Sequence, residues 1–218
     1  MRAFVVDAYK KPLRLAEVSE PSVGDHDVLI EVAAAGLNQL DDKVRLGEFK
    51  AFLNYRTPFV LGHDVAGTVV GVGSQVRGFA VGDEVFARAR DGQIGTFAER
   101  VAVRAADVAL RPRNLSMEEA ASLPLVALTA WQALVEIGKV TPGDKVLIHG
   151  GSGGVGSIAI QLAKHLGATV ATTVSAANAD LVRGLGADVV IDHRTESFDD
   201  VLSDYDLVLD GVSGDNVL

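Results

Sequence analysis

Seven residues, GGSGGVG at 150–156, have the types and spacing to hold a diphosphate. Gly151, Gly153 and Gly156 fit G-x-G-x-x-G, and Ser152, Gly154 and Val155 complete the loop. In this pattern the first glycine permits a tight turn. The second lets the backbone approach a pyrophosphate, and the third lets the following helix pack close to the strand. The helix start then offers unpaired N–H groups and a positive dipole end to phosphate oxygens. The pattern alone is weak, but a strand before it, a helix after it and a second strand beyond give it the context of a dinucleotide site. That second strand ends TTVSAAN (172–178), with no acid to bond a ribose 2′-hydroxyl. Ser175 and Asn178 can hydrogen-bond a 2′-phosphate without repelling it, which points to NADP. Asn178 could equally cap a helix. No Arg or Lys stands at the strand end, and Arg183 is the nearest cation in sequence.

A second group raises a metal question. GHDVAG (62–67) places a His beside an acid between two glycines. The chain has no cysteine, so thiolate metal sites and disulfides are excluded. A zinc site wants three good protein ligands with a fourth position open. Asn38, His63 and Asp64 would make an oxygen-rich alternative. The plainer expectation is no metal, with His63 donating a hydrogen bond and Gly62 and Gly67 serving turns and close packing.

The elements that must position these groups fall into two textures. Residues 1 to about 110 hold short Val-rich runs split by Gly, Pro and Asp: MRAFVV, DVLIEVAAAGL, FVLGHDVAGTVVGVG, DEVFARA and TFAERVAV. These read as strands of a small barrel or curled sheet. LSMEEAASL (115–123) opens a helix, with Ser116 and Glu119 forming a capping box. Pro124 interrupts it, and 125–138 continues as a helix that ends at a glycine. From 145 the rhythm is strand, helix, strand, helix. Strands are expected at 145–150, 169–175, 188–193 and 206–212, and helices at 153–167, 178–186 and 198–203. Apolar strands alternating with helices give a parallel sheet covered on both faces.

The 218 residues carry a net charge of −9, which disfavours nucleic acid as a partner. No window approaches 18 consecutive apolar residues, so no transmembrane helix is expected. The N-terminus alternates and carries charges, unlike a signal peptide, and a cytoplasmic address follows.

Taken in order, several stretches resemble the medium-chain dehydrogenase/reductase superfamily. They are AAAGLNQLDDKVRLGEF (33–49), LGHDVAGTVVGVGSQVRGFAVGDEVFA (61–87), GTFAERVAV (95–103), LPLVALTAWQAL (123–134), VLIHGGSGGVGSIAIQLAKHLGATV (146–170) and LGADVVID (185–192). The resemblance is to the zinc-independent quinone oxidoreductase, or zeta-crystallin-like, branch. Plant chloroplast enone reductases are similar too, with a Lys placed as Lys43 is here. The resemblance implies an α/β chain: a GroES-like β-rich domain over 1–124 and a Rossmann domain over 125–218, with the active site between them. It implies hydride transfer from NADPH to a quinone or an electron-poor alkene, a small-molecule partner. Cofactor contacts would fall on Thr129, Gly153, Gly154, Val155, Ser175 and on His193, where relatives often have Tyr. Asn38, Asp41 and Lys43 would line the substrate pocket. Lys43 would stabilise the enolate oxygen that develops, and Asn38 would orient substrate or nicotinamide.

Two departures from the family stand out. Enoyl-thioester reductases of the superfamily use a Tyr where this chain has Phe49; Tyr55 could substitute or could pack. Family members also exceed 300 residues, whereas four strands of a six-stranded sheet are accounted for here. The expectation is a C-terminally truncated chain whose fourth strand leaves an open edge. The family's habit is a homodimer through later strands. An enoyl-thioester reductase and, in a different class, a non-catalytic NADPH-binding protein are the alternatives.

Overall fold

The computed structural model describes residues 1–212. They divide into two compact units, residues 1–125 and 126 onward.

The first unit is built from β1 (Arg2–Val6), β2 (Arg14–Glu17), β3 (Asp27–Gly36), α1 (Gln39–Leu46), β4 (Phe59–Val60), β5 (Asp64–Val72), β6 (Glu84–Arg88), β7 (Arg100–Arg104), β8 (Val108–Leu110) and α2 (Met117–Ala121). Five strands form one antiparallel sheet, in the order β7-β3-β5-β6-β8. The other three form a small antiparallel sheet, β2-β1-β4. Alternation sets the core: Val28, Ile30, Val65, Val69, Val85 and Val103 point inward and are fully or almost fully buried. Each such side chain contributes roughly 1.5–3 kcal/mol on leaving water. Register shifts in the β3–β5 pairing, between Leu29 and Ile30 and between Val32 and Ala34, curl the larger sheet.

The predicted run over 59–73 is two strands rather than one. Gly62 breaks it with φ +107, a conformation side chains resist. That break turns the chain just before His63 and Asp64.

α3 (Pro124–Trp131) begins with proline at its first position, where the missing N–H costs nothing. It continues as a wider π-turn over Gln132–Ile137, and the Gly138 N–H donates to Ala133 O at 2.9 Å. The second unit then follows the alternating pattern: β9 (Lys145–His149), α4 (Gly154–His165), β10 (Thr169–Val174), α5 (Ala179–Gly184), β11 (Val189–Asp192), α6 (Phe198–Val201) and β12 (Leu207–Leu209). The four strands are parallel, in the order β11-β10-β9-β12. Val146, Ile148, Ile160, Val170 and Val182 bury completely between sheet and helices. The expected strand over 206–212 is shorter, three residues at Leu207–Leu209. Residues 213–218, within the predicted C-terminal segment, lie outside the described residues.

Candidate functional site

The glycine loop joins β9 to α4. Its backbone is anchored to the neighbouring strand: Gly150 N–H donates to Thr173 Oγ1 at 3.3 Å and Gly151 N–H to Thr173 O at 3.2 Å. The tight turn does not sit on Gly151, as the pattern predicts, but one residue earlier. Gly150 holds φ +67. Gly151 is instead a packing glycine. A Cβ there would overlap Thr172 Oγ1 and come within 2.9 Å of Ile160 Cδ1. Gly156 fulfils its expected role: a Cβ would overlap Gly150 O and lie 2.7 Å from Gly151 Cα, so loop and helix touch backbone to backbone. Gly153 caps α4, and Gly154, Val155 and Gly156 are its first three residues, whose N–H groups lack helical acceptors. Gly153 and Gly154 are exposed. This cradle, open outward and closed inward, fits a diphosphate.

Beside the loop, the end of β10 gathers polar groups. Asn178 Nδ2 donates to Ser152 Oγ at 3.0 Å and lies 3.5 Å from Ser175 Oγ. Three residues chosen for their sequence positions are therefore neighbours in space. Ser152 and Ser175 line a cavity of about 370 Å³, together with His149, His193 and Arg194. His149 is buried, its Nδ1 3.0 Å from Thr173 Oγ1 and its ring edge-on to Phe198 at 4.8 Å. Burial lowers its pKa, against a weaker upward pull from Asp210, and favours the neutral ring. Thr129 is exposed on α3 and is not among the residues lining this cavity. Arg183, the nearest cation in sequence, pairs with Asp180 at 3.2 Å on α5 and does not line it either. Arg194 does. Sequence reasoning passed over it because it follows β11, and only the pairing of β11 beside β10 brings it to Ser175.

In the first unit, Asn38 stands at the N-cap of α1. Its N–H donates to Asp41 Oδ2 at 2.8 Å, and its Nδ2 donates to Asp64 Oδ2 at 3.0 Å. Asp41 Oδ1 lies 2.6 Å from His63 Nδ1. Asp64 Oδ2 also accepts from Leu125 N–H at 3.1 Å. His63 and Asp64 are fully buried and Asp41 nearly so. Within the metal-like motif His63 is thus held by Asp41, and Asp64 by Asn38 and Leu125. Asp41, expected at a substrate pocket, is 4% exposed, with both oxygens engaged inside the unit. Lys43 is exposed on α1, and its ammonium has no ion pair among the described residues. Tyr55 packs. Its ring stacks on Phe59 at 5.1 Å and its hydroxyl accepts from Gly92 N–H at 3.2 Å.

Two outcomes follow for this network. Asp41→Ala is expected to destabilise the protein by about 3 kcal/mol, because it strands buried His63 Nδ1 and the Asn38 N–H. Urea unfolding measures it, and Asp41→Asn is expected to lose less. Asp64 is pushed up to about 6, foremost by burial, with the Asn38 and Leu125 hydrogen bonds pulling down. A carboxyl raised when folded binds its proton more tightly folded than unfolded. Its contribution is therefore most favourable at low pH and is lost as pH rises from about 4 to 6. Asp64→Asn removes that penalty. The variant is expected to gain up to about 3 kcal/mol relative to the parent between pH 4 and 7, read from unfolding midpoints across that range.

The comparisons with known proteins agree with this architecture. Residues 24–113 match the alcohol dehydrogenase GroES-like domain, and residues 154–216 match the zinc-binding dehydrogenase family. The chain is 47% identical over 205 residues to a 2-methylene-furan-3-one reductase of Solanum lycopersicum, covering 90% of this chain and 52% of the relative. It is 45% identical over 200 residues to a chloroplastic NADPH-dependent alkenal/one oxidoreductase of Arabidopsis thaliana, covering 88% and 51%. The quinone oxidoreductase from Coxiella burnetii superposes with a TM-score of 0.91 at 39% identity, covering 99% of this chain and 70% of that one. The chain spans about half the length of these two curated relatives. With a GroES-like unit, a Rossmann-type parallel sheet and these relatives, the chain belongs to the medium-chain dehydrogenase/reductase superfamily, in its quinone oxidoreductase branch.

Proposed function

We propose that the chain carries an NADPH-dependent reductase of quinones or α,β-unsaturated carbonyl compounds that works without zinc. The observation that carries the cofactor choice is the Ser152–Ser175–Asn178 cluster beside the glycine loop, neutral and hydrogen-bonding where an acid would select NADH. The relatives support the acceptor class: one is a 2-methylene-furan-3-one reductase, one an alkenal/one oxidoreductase and one a quinone oxidoreductase.

When bound, NADPH supplies the hydride. The chain's own residues hold and orient. The N–H groups opening α4 meet the diphosphate, and Gly151 and Gly156 keep the loop rigid. Thr129 and His193 join the cofactor contacts. Hydride arriving at the β-carbon of an enone puts negative charge on the carbonyl oxygen, and a donor placed there is the usual large contribution. The Lys43 ammonium is the proposed donor, with Asn38 orienting the acceptor or the nicotinamide. Zinc independence is supported by the donor set: there is no cysteine, and among the described residues no three His, Asp or Glu side chains are grouped to hold a metal ion. A cytoplasmic setting belongs to the same proposal, and the lack of cysteine fits a reducing compartment. Among the described residues no helix is long and apolar enough to cross a membrane.

The test is NADPH oxidation with phenanthrenequinone, with a conjugated alkenal and with the matching saturated aldehyde. Turnover of the first two alone supports the proposal. Turnover of the saturated aldehyde alone contradicts it. NADPH binding without turnover of any would favour a binding protein over an enzyme.

A further inference from the structure

We infer that the turn before β2 and the loop after α1 form a docking surface for an anionic lipid bilayer, with Phe52 as its apolar tip and Lys10, Lys11, Lys50 and Arg56 as its cations. The loop over 47–56 is pinned from beneath. Phe49, Leu53 and Tyr55 pack on the buried cluster of Val6, Val44, Leu61 and Phe97. Phe52 and Leu53 N–H both donate to Phe49 O, at 2.9 and 2.7 Å. The tight turn that buries Phe49 and Leu53 drives the ring between them outward, and Phe52 is 87% exposed. A phenyl ring held in water gains free energy by entering an apolar phase, as the aromatic residues of membrane-surface segments do.

The turn between β1 and β2 brings further cations to the same place. Lys10 N–H donates to Arg45 O at 2.9 Å, and Arg45 Nη1 donates to Lys11 O at 2.8 Å. Tyr9 OH donates to Tyr55 O at 2.8 Å, and the Lys50 ammonium lies 5.2 Å from the centre of the Tyr9 ring. The turn therefore rests on the end of α1 and on the loop that carries Phe52. Nearby acids are already engaged: Asp7 pairs with Arg14, and Asp42 with Arg45. Lys10, Lys11, Lys50 and Arg56 are exposed and form no ion pair among the described residues, with Glu48 the acid of the loop that opposes them. In a chain of net charge −9, a cationic end turns toward a negative surface while the rest is repelled, which fixes the orientation of docking. A bilayer offers headgroup phosphates to the cations and hydrocarbon to the ring at once; duplex nucleic acid offers only the first. Lipophilic members of the proposed acceptor class concentrate in a bilayer, so docking brings the chain to them. That consequence rests on the proposed function; the docking itself does not.

The test is sedimentation of the chain with phosphatidylcholine vesicles, with and without phosphatidylglycerol, at low and high salt. It compares the parent with Phe52→Ser and with the double variant Lys10→Gln/Lys11→Gln. At low salt the parent is expected to bind only the vesicles that carry phosphatidylglycerol, and to leave them at high salt. Phe52→Ser is expected to weaken binding about tenfold or more. Losing two cations at such a surface is expected to weaken it about twentyfold. All three side chains are exposed, so the fold is expected to be unchanged. A parent that binds neither kind of vesicle, or both alike, would overturn the inference. So would a Phe52→Ser variant that binds as tightly as the parent, which would leave charge adsorption alone. Duplex DNA that displaces the chain from the vesicles, with an affinity lowered in the lysine variant and untouched in Phe52→Ser, would assign the surface to a polyanion and overturn it as well.

Discussion

Gly156→Val is expected to abolish binding of NADPH and NADH alike. The position has no room for any side chain. Even a Cβ meets the Gly150 carbonyl and sits 2.7 Å from Gly151 Cα. Both neighbours are backbone, and the loop is itself tied to Thr173, so neither can step aside. Relief would come only from lifting the start of α4 away from β9. That would break the cradle and open the packing of Ile160 and Ala163 on Val146 and Ile148, all fully buried. Overpacking of this kind costs about 3 kcal/mol, more where backbone is the obstacle. Dinucleotide titration reads the first effect and urea unfolding the second. Gly154→Ala is the contrast. Its Cβ would meet only Val126 Cγ1 at 3.0 Å, a side chain that can shift, and a clear retention of fold is expected.

Ser175→Asp is expected to reverse the dinucleotide preference. The hydroxyl lies 3.5 Å from Asn178 Nδ2, which in turn holds Ser152. A carboxylate there would face a 2′-phosphate at similar range. Two like charges about 4 Å apart near a protein surface repel by roughly 4 kcal/mol. NADPH affinity is expected to fall about a hundredfold or more. NADH is expected to bind more tightly than in the parent, because the new acid accepts from the ribose hydroxyl. Competitive titration of both dinucleotides gives the ratio. A variant that still prefers NADPH would place the phosphate elsewhere.

The fold was legible wherever the signal was local. The Ser116–Glu119 capping box is present as read: Ser116 N–H donates to Glu119 Oε2 at 2.7 Å, and Glu119 N–H donates to Ser116 Oγ at 3.2 Å. The alternating strands and helices after residue 145 are present with shifted ends, because their apolar runs bury on both faces. β2 was missed. Its sequence RLAE is short, half charged and on an edge, so it carries no alternation to detect. The π-turn after Trp131 was invisible too, since its residues fit a 3.6-residue period as well as the helix before it.

In the candidate site the limit is adjacency. Gly150 and Gly151 are interchangeable in sequence, and only the packing of Thr172 against one and the φ of the other separates their tasks. The His63–Asp41 contact joins residues 22 positions apart, through a helix start and a strand turn that sequence spacing does not relate. Arg194 is the same case, reached only through strand pairing. The adjacency of Ser152, Ser175 and Asn178 was legible because a loop and a strand end leaving neighbouring parallel strands emerge side by side whatever lies between.

The most direct measurement is equilibrium titration of the chain with NADPH and with NADH, followed by the fluorescence of the reduced nicotinamide. Saturable binding of both is expected, with NADPH tighter by about tenfold or more, as for an added phosphate met by the Ser152, Ser175 and Asn178 hydrogen-bonding groups. Equal affinity for the two, or tighter binding of NADH, would contradict it.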